Sequence, residues 1–148
     1  MRAIVLAAGK GTRLFPLTGE IPKPMAPVVD TPIIRHIFNL LARHGVSEAR
    51  VNVHYLADAL LTAYSEESCV NGMSVRLVRE KELSGTAGGV KNLAQGTQGI
   101  DPADEFDETF VVVSGDALTD VDIKELVRAR RLQESIGRTP DLPGRVTF

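Results

Sequence analysis

Two glycines and two cations follow directly on an apolar run near the start of this 148-residue chain. The stretch LAAGKGTRLFP, residues 6–16, contains Gly9 and Gly11 together with Lys10 and Arg13. Because glycine lacks a Cβ, it lets backbone N–H groups approach phosphate oxygens, and arginine adds a forked, permanently charged donor. The loop is therefore suited to wrap a nucleoside triphosphate, with a tight turn carrying two solvated cations as the alternative interpretation.

Neither of two common phosphate-binding motifs fits this loop. A dinucleotide-binding motif needs a third glycine at position 14, where this chain has Leu14. It also needs a helix directly after the glycines, and four prolines prevent one from forming here. Those prolines are Pro16, Pro22, Pro24 and Pro27. A P-loop needs Gly-Lys followed by Ser or Thr, whereas the chain reads Gly-Lys-Gly-Thr. A dinucleotide-dependent dehydrogenase is therefore disfavoured.

A lysine and an aspartate elsewhere in the chain could act with this loop. Lys23 lies between two prolines in IPKPMAPV, residues 21–28, which presents its ammonium on a stiff segment. Asp116 lies just past the apolar run 110–113, a place where a carboxylate commonly holds a Mg²⁺ ion that bridges substrate phosphates. A surface lysine and a turn or capping aspartate are the alternative interpretations.

Four segments rich in aliphatic and β-branched residues predict strands. They cover residues 2–8, 48–56, 73–80 and 108–116. The first and the last are apolar on both faces, which predicts that they are neighbouring central strands. The middle two are interleaved with polar residues such as Arg50 and Arg76, and we expect them nearer an edge.

Helices are predicted between these strands from apolar periodicity and capping signals. They cover residues 31–45, 55–67, 86–95 and 122–134. The first is expected to have Thr31 as its cap, Pro32 at its first helical position and Gly45 after its end. Asp122 and Glu125 have the spacing of a capping box at the start of the last helix.

Strands that alternate with helices predict an α/β fold, here a Rossmann-like three-layer sandwich with a mostly parallel sheet. Ligands of such sheets lie beyond the carboxyl ends of the strands. The glycine loop, His54, the stretch GTAGG at 85–89 and Asp116 all follow strand ends, so we expect them to meet at one edge. Residues 1–134 are interpreted as one domain, and 135–148, with two glycines and two prolines, as a poorly ordered tail.

Composition limits the classes of partner. The net charge of -2 provides no basic surplus for nucleic acid, so any phosphate site must be local. Cys69 is the only cysteine, which excludes an internal disulfide and favours a reducing compartment, and we expect its side chain to be buried. The apolar stretch 3–8 is shorter than a signal-peptide core, and no run approaches the ~18 residues of a membrane helix. We therefore expect a cytoplasmic protein with no membrane partner.

Five stretches in this order resemble the sugar-phosphate nucleotidyltransferases, also called nucleotide-sugar pyrophosphorylases. They are LAAGKGTRL, PKPMAPV, NVHYLAD, GTAGGVKN and VVVSGDALTDVDI, and the resemblance runs from Arg2 to about Val127. The stretches NVHYL and SGDALTD most resemble the mannose-1-phosphate guanylyltransferase branch. The resemblance implies a reaction between a nucleoside triphosphate and a sugar 1-phosphate that gives a nucleotide sugar and pyrophosphate. For this branch the expected substrates are GTP and mannose 1-phosphate.

The same resemblance implies roles for individual residues. Arg13 would neutralise the departing pyrophosphate, Lys23 would bridge the α-phosphate and the incoming sugar phosphate, and Asp116 would hold Mg²⁺ as the cofactor. These three are the expected catalytic residues. The expected nucleotide-binding residues are Ala8, Gly9, Gly11, Thr12, Arg13, Gly85, Thr86 and Gly88.

The family's catalytic domain continues with strands that supply a second metal-binding aspartate and contacts to the sugar, and residues 128–148 match none of these. The chain is therefore interpreted as a truncated or divergent member with an incomplete sugar site. Its strand at 109–113 is expected to be an unprotected edge that a second copy or a partner chain would cover. A non-catalytic nucleotide-binding or regulatory module, and a glucose-1-phosphate uridylyl- or thymidylyltransferase, are the alternatives.

Overall fold

Four parallel strands form the centre of the computed structural model, which describes residues 1–96, 101, 104–106, 108–135 and 146–147. In chain order the strands are β1 (Arg2–Leu6), β2 (Pro27–Val28), β3 (Thr31–Pro32), β4 (Glu48–Val53), β5 (Glu67–Val70), β6 (Met73–Arg79), β7 (Phe110–Ser114) and β8 (Val146–Thr147). The helices are α1 (Leu17–Glu20), α2 (Ile33–Arg43), α3 (Ala57–Tyr64), α4 (Gly85–Ala94) and α5 (Ile123–Ser135). Single 3-10 turns lie at Thr12–Leu14 and Lys23–Met25.

The main sheet has six strands in the order β5-β6-β4-β1-β7-β8, and all neighbours except β5 and β6 run parallel. β1 lies between β4 and β7, with Ile4 opposite Arg50 on one side and Val112 on the other. This confirms the predicted α/β fold with a mostly parallel sheet. It also confirms that the first and last of the predicted strands are neighbours.

Helices cover both faces of this sheet, which makes three layers. Ala3 and Val5 of β1 face a core that includes the apolar side of α2. Ile4, between them, faces a second core formed with α4 and Phe106. Since both faces are covered, the loops at the carboxyl ends of the strands are where a ligand site can form.

The prediction that β4 lies near an edge is wrong. β4 is an interior strand between β6 and β1, and Arg50 within it is 1% exposed. Its guanidinium is buried because its donors have partners: Nε bonds Glu48 Oε1 at 2.8 Å, Nη1 bonds Leu93 O at 2.9 Å and Nη2 bonds Asp104 O at 2.6 Å. A polar residue in this strand is therefore not a sign of exposure to solvent, because Arg50 is buried with hydrogen-bond partners for its donors.

The sequence did not predict β5, the antiparallel strand outside β6. The predicted helix 55–67 ends early, at Tyr64, because Ser65 takes a positive φ of 57° and turns the chain into this strand. Cys69 lies on β5 and is exposed, so the expectation of a buried cysteine is also wrong. An edge strand leaves side chains on one face open to solvent, which accounts for the difference.

Helix boundaries agree with the sequence in part. α2 begins at Ile33, not at Thr31, because Thr31 and Pro32 pair with β2 in a hairpin. Gly45 follows the helix with a φ of +80°, the left-handed conformation expected of a glycine that ends a helix. The first half of the predicted capping box of α5 is confirmed, since Asp122 Oδ1 accepts the backbone N–H of Glu125 at 3.0 Å, while Glu125 Oε1 accepts from Arg128 Nη1.

The predicted tail is described only at Ser135 and at β8. Val146 lies opposite Phe110 and Thr147 opposite Val111, so β8 pairs with the first part of the outer edge of β7. The expectation that this strand is an unprotected edge is therefore wrong for Phe110 and Val111, which the chain's own β8 covers. Residues 136–145 and 148 lie outside the described part of the chain. None of the helices within the described ranges is long and apolar enough to cross a membrane.

Candidate active site

Lys23 and Asp116 form an ion pair at the carboxyl ends of the strands. Lys23 Nζ lies 2.5 Å from Asp116 Oδ2, with side chains 27% and 31% exposed. The hydroxyl of Ser114, the last residue of β7, donates to Asp116 Oδ1 at 2.5 Å. Burial raises the pKa of Asp116, but the hydrogen bonds from Lys23 and Ser114 together with the charge of Lys23 lower it below its ordinary value. The carboxyl is therefore held ionised.

The glycine loop, residues 9–11, packs closely against the segment that carries Lys23. Gly11 has a φ of +62°, and a Cβ there would lie 3.0 Å from Lys23 Cβ and 3.0 Å from Thr18 Cγ2. Thr18 is 1% exposed, and its Oγ1 donates to Gly11 O at 2.9 Å. Nothing lies within 4 Å of the position of a Cβ on Gly9, so the backbone there faces open space.

Gly115 brings the ends of β1 and β7 close together. Its N–H donates to Leu6 O at 2.8 Å, and a Cβ at this position would lie 2.8 Å from the same oxygen and 3.0 Å from Ala7 Cβ. A side chain would push the two strand ends apart. Sequence reasoning missed this glycine, whose place between a buried strand and Asp116 was the available signal.

A cavity of about 530 Å³ opens between the ends of β1, β4, β6 and β7 and the start of α4. Five of the predicted site residues line it: Ala8, Gly9, Gly85, Thr86 and Asp116. A smaller recess of about 40 Å³ is lined by Gly9, Gly11, Lys23 and Asp116. Because Gly9 and Asp116 line both, the glycine loop and the ion pair share one cleft.

Three predicted residues do not line this cleft. Thr12 and Arg13 are exposed on the 3-10 turn, and the Arg13 guanidinium is not brought to the Lys23–Asp116 pair among the described contacts. Gly88 instead packs closely on Ser84, since a Cβ on it would lie 2.6 Å from Ser84 Cβ. The structure thus unites Lys23 with Asp116 and leaves Arg13 at the surface of the same loop.

Sequence reasoning also missed a buried polar network beside the cavity. Asn52 Oδ1 accepts the backbone N–H of Ala7 at 2.8 Å, and its Nδ2 donates to Glu80 Oε1 at 3.1 Å. Ser84 Oγ donates to the same oxygen at 3.1 Å. Asn52 and Glu80 are 4% and 3% exposed, and both line the cavity. The signal in the sequence was Asn52 between two valines of a strand.

The helix α4 is packed tightly against this network. A Cβ on Gly89 would lie 2.7 Å from Asn52 Nδ2 and 3.1 Å from Glu80 Oε1, so the close approach requires glycine. His54 Nδ1 donates to Glu80 O at 2.9 Å, since a carbonyl oxygen only accepts, and fixes the end of β6. The Glu80 carboxylate is thereby held in one orientation at the cavity wall.

Asp116 fits a magnesium ion that arrives with a nucleotide. Mg²⁺ in such sites takes oxygen ligands from one or two carboxylates, from waters and from substrate phosphates. Asp116 supplies one carboxylate beside a glycine loop that can hold phosphates. Within the described residues, no group of three or more His, Cys, Asp and Glu side chains is arranged to hold a metal ion by itself.

A family model for nucleotidyl transferases matches residues 2–140, and the chain belongs to this family of sugar-phosphate nucleotidyltransferases. It is 37% identical over 145 residues to a UTP–glucose-1-phosphate uridylyltransferase of Synechocystis, covering 92% of this chain and 36% of the relative. It is 31% identical over 129 residues to a mannose-1-phosphate guanylyltransferase of Mycobacterium tuberculosis, covering 87% and 33%. The predicted family membership is confirmed.

A solved structure shares the fold. The crystal structure of HddC from Yersinia pseudotuberculosis complexed with GMP-PN matches with a TM-score of 0.69 and 28% sequence identity, covering 86% of this chain and 53% of that one. The chain thus spans about a third to a half of the length of the proteins it matches.

Proposed function

We propose that this chain carries the nucleotide site of a sugar-1-phosphate guanylyltransferase, which converts GTP and mannose 1-phosphate to a nucleotide sugar and pyrophosphate. The observation that carries this is the Lys23–Asp116 pair, which shares one recess with Gly9 and Gly11. A cation, a carboxylate and accessible backbone donors are the groups that bind a triphosphate with its divalent ion.

In this reaction an oxygen of the sugar phosphate bonds to the α-phosphorus while the bond from that phosphorus to the bridging oxygen of pyrophosphate breaks. Such transfers depend on positioning and charge neutralisation more than on covalent help. Lys23 binds the α-phosphate and the incoming sugar phosphate, the N–H groups of Gly9 and Gly11 bind the remaining phosphates, and Arg13 neutralises the departing pyrophosphate. Magnesium at Asp116 supplies further neutralisation of the phosphate charge when the nucleotide is bound.

The Glu80 carboxylate supports guanine as the base. It is buried at the cavity wall, oriented by Asn52 and Ser84. Guanine presents two adjacent N–H donors on one edge, which pair well with a carboxylate. Uracil presents one N–H between two carbonyl oxygens, which a carboxylate repels. The backbone of Gly85 and Thr86 leaves room for the base and ribose beside this group.

The experiment separates binding from turnover. Calorimetric titration with GTP, with and without Mg²⁺, measures the first, and pyrophosphate release in the presence of mannose 1-phosphate measures the second. Lys23→Gln is expected to raise the Kd of Mg·GTP by about tenfold or more, since one charge-assisted hydrogen bond is lost. Lys10→Gln, exposed on the same loop, is the matched control and should change nothing. Absence of saturable GTP binding by the unaltered chain would refute the proposal.

A uridylyltransferase is a second candidate because the Synechocystis relative, a UTP–glucose-1-phosphate uridylyltransferase, is 37% identical over 92% of this chain. Competition of UTP against GTP in the same titration distinguishes the two. Tighter binding of UTP, with turnover of glucose 1-phosphate, would favour this candidate over the first.

A nucleotide-binding module without catalysis is the third candidate, because Arg13, the residue expected to neutralise the pyrophosphate, is exposed and lines neither part of the cleft. It predicts GTP binding without pyrophosphate release. β8 pairs with Phe110 and Val111 of β7, and residues 112–114 follow these two along the same edge. A second copy or a partner chain that adds a strand there would cover this edge, and sedimentation measurements would detect it.

A further inference from the structure

Tyr55 reaches from the end of β4 to the segment between the glycine loop and Lys23. Its hydroxyl donates to the backbone carbonyl of Thr18 at 2.9 Å, across 37 positions of sequence. The tyrosine side chain is half-buried and lines neither of the two parts of the cleft. The hydrogen bond to Thr18 is therefore the contact that connects Tyr55 to the loop.

Thr18 is in direct contact with the glycine loop. It is 1% exposed, its Oγ1 donates to Gly11 O at 2.9 Å, and its Cγ2 lies 3.0 Å from the position of a Cβ on Gly11. The same position lies 3.0 Å from Lys23 Cβ. Hydrogen bonds therefore connect Tyr55 to Thr18 and Thr18 to Gly11, and the stem of Lys23 lies beside Gly11.

The backbone at Tyr55 is held in an unusual conformation. Leu56, the next residue, has a φ of 48° and a ψ of 37°, in the left-handed region that strains a leucine. The strain is held in place because α3 begins at once, with Ala57 and Leu60 packed in the core at 2% and 0% exposure. Strained residues of this kind occur mostly where a neighbouring group has to be placed accurately.

We propose that Tyr55 is a positioning residue for the triphosphate loop: its hydroxyl fixes Thr18, and Thr18 fixes Gly11 and the stem of Lys23. This role presupposes the triphosphate site proposed above. The base side of the cleft is held separately, by Asn52 and Glu80. Loss of the Tyr55 hydroxyl therefore loosens the phosphate side and leaves the choice of base unchanged.

The chain offers a matched control, since it contains two tyrosines. Tyr64, the last residue of α3, is half-buried and packs edge-on against Phe38, with ring centres 5.3 Å apart. Tyr55→Phe and Tyr64→Phe each remove one hydroxyl oxygen and keep the ring. Thr18→Val removes the Oγ1 donor with little change of shape. It therefore tests the hydrogen bond from Thr18 to Gly11.

Hydrogen exchange of the ligand-free chain tests the positioning without relying on any nucleotide. In Tyr55→Phe and Thr18→Val, amides of residues 9–20 should exchange about fivefold faster, the effect of losing one hydrogen bond, while those of α2 keep their rates. Tyr64→Phe should leave residues 9–20 unchanged. Unchanged exchange of residues 9–20 in Tyr55→Phe, or equal acceleration throughout the chain, would overturn the positioning role.

Nucleotide titration then connects the loop to the site. Tyr55→Phe should raise the Kd of Mg·GTP and of Mg·UTP by the same factor, about fivefold, so that their ratio is unchanged. A changed ratio, or an unchanged Kd for both, would overturn the proposal. If the unaltered chain binds no triphosphate while exchange responds as expected, the proposed function fails and the structural part of the inference stands.

Discussion

The Nζ atom of Lys23 lies 2.5 Å from Oδ2 of Asp116, although the two residues are 93 positions apart in the sequence. The pair joins the segment after the glycine loop to the turn after β7, which are brought together by the adjacent strands β1 and β7. Because the two charges cancel, the recess has no net charge from this pair before a ligand binds. Under the proposed function, a triphosphate and its divalent ion would each find one partner there.

Asp116→Asn should remove the effect of Mg²⁺ on GTP affinity. The amide keeps the size of the side chain but is a poor ligand for a hard divalent ion. Calorimetric titration with and without Mg²⁺ measures the difference, and thermal unfolding should remain cooperative. Asp120→Asn, at an exposed residue four positions further on, is the control. A Mg²⁺ effect of normal size in Asp116→Asn would rule out the metal role.

Glu80→Gln should lower the preference for GTP over UTP by about tenfold. Glutamine can still accept from Asn52 and Ser84, but it loses the charge that favours two N–H donors of a base. Competition titrations with both nucleotides measure the ratio. Glu82→Gln, exposed two residues further on, should leave the ratio unchanged. Equal loss of affinity for both nucleotides in Glu80→Gln would contradict base recognition by this carboxylate.

Gly115→Ala should reduce both stability and GTP binding. Its Cβ would lie 2.8 Å from Leu6 O, a backbone atom that cannot turn away, so the free energy of unfolding should fall by about 1–3 kcal/mol. Gly9→Ala is the informative comparison, because nothing lies within 4 Å of its Cβ position. It should keep its stability and lose affinity for GTP alone. Urea unfolding and titration separate the two effects, and a fully stable Gly115→Ala would show that the strand ends can yield.

Arg50→Met should destabilise the fold by about 2–4 kcal/mol, because it leaves the carbonyls of Leu93 and Asp104 without their buried donor. Arg76, its register partner on β6, is the matched control. It is 31% exposed and bonds the exposed Glu67, so Arg76→Met should cost about 1 kcal/mol or less. If urea unfolding showed a similar decrease in the free energy of unfolding for both variants, a structural role specific to Arg50 would be contradicted.

Asp122 should make the stability of α5 depend on pH. The N–H of Glu125 bonds its carboxylate, and the nearby His44 contributes charge, so the pKa of Asp122 lies below its ordinary value. The stabilisation is therefore present above the unfolded pKa of about 3.9 and is lost as pH falls through the lower folded value. Asp122→Ala should be less stable than the unaltered chain near neutral pH, and the difference should shrink at acid pH. A difference that is constant with pH would exclude this ionisation.

The sequence predicted the parts of this site that follow apolar strands. Gly9 and Asp116 come directly after β1 and β7, whose two buried faces show as continuous apolar runs, so their meeting at one edge followed from topology. The Asn52–Glu80 bond joins residues 28 positions apart on different strands, and no local pattern contains it. Arg50 was misread because a buried guanidinium and an exposed one look the same in a sequence, and only its partners tell them apart.

The aromatic ring of Phe106 lies between two guanidinium groups, 4.2 Å from that of Arg2 and 4.0 Å from that of Arg50. This clamp sits near the amino ends of the strands, with Arg2 also bonded to the carbonyl of Glu105. The opposite rim of the sheet carries the cleft. Because the contacts of Arg2 and Arg50 with Phe106 lie away from the cleft, a substitution that changes the ligand in the cleft leaves these cation–π contacts in place.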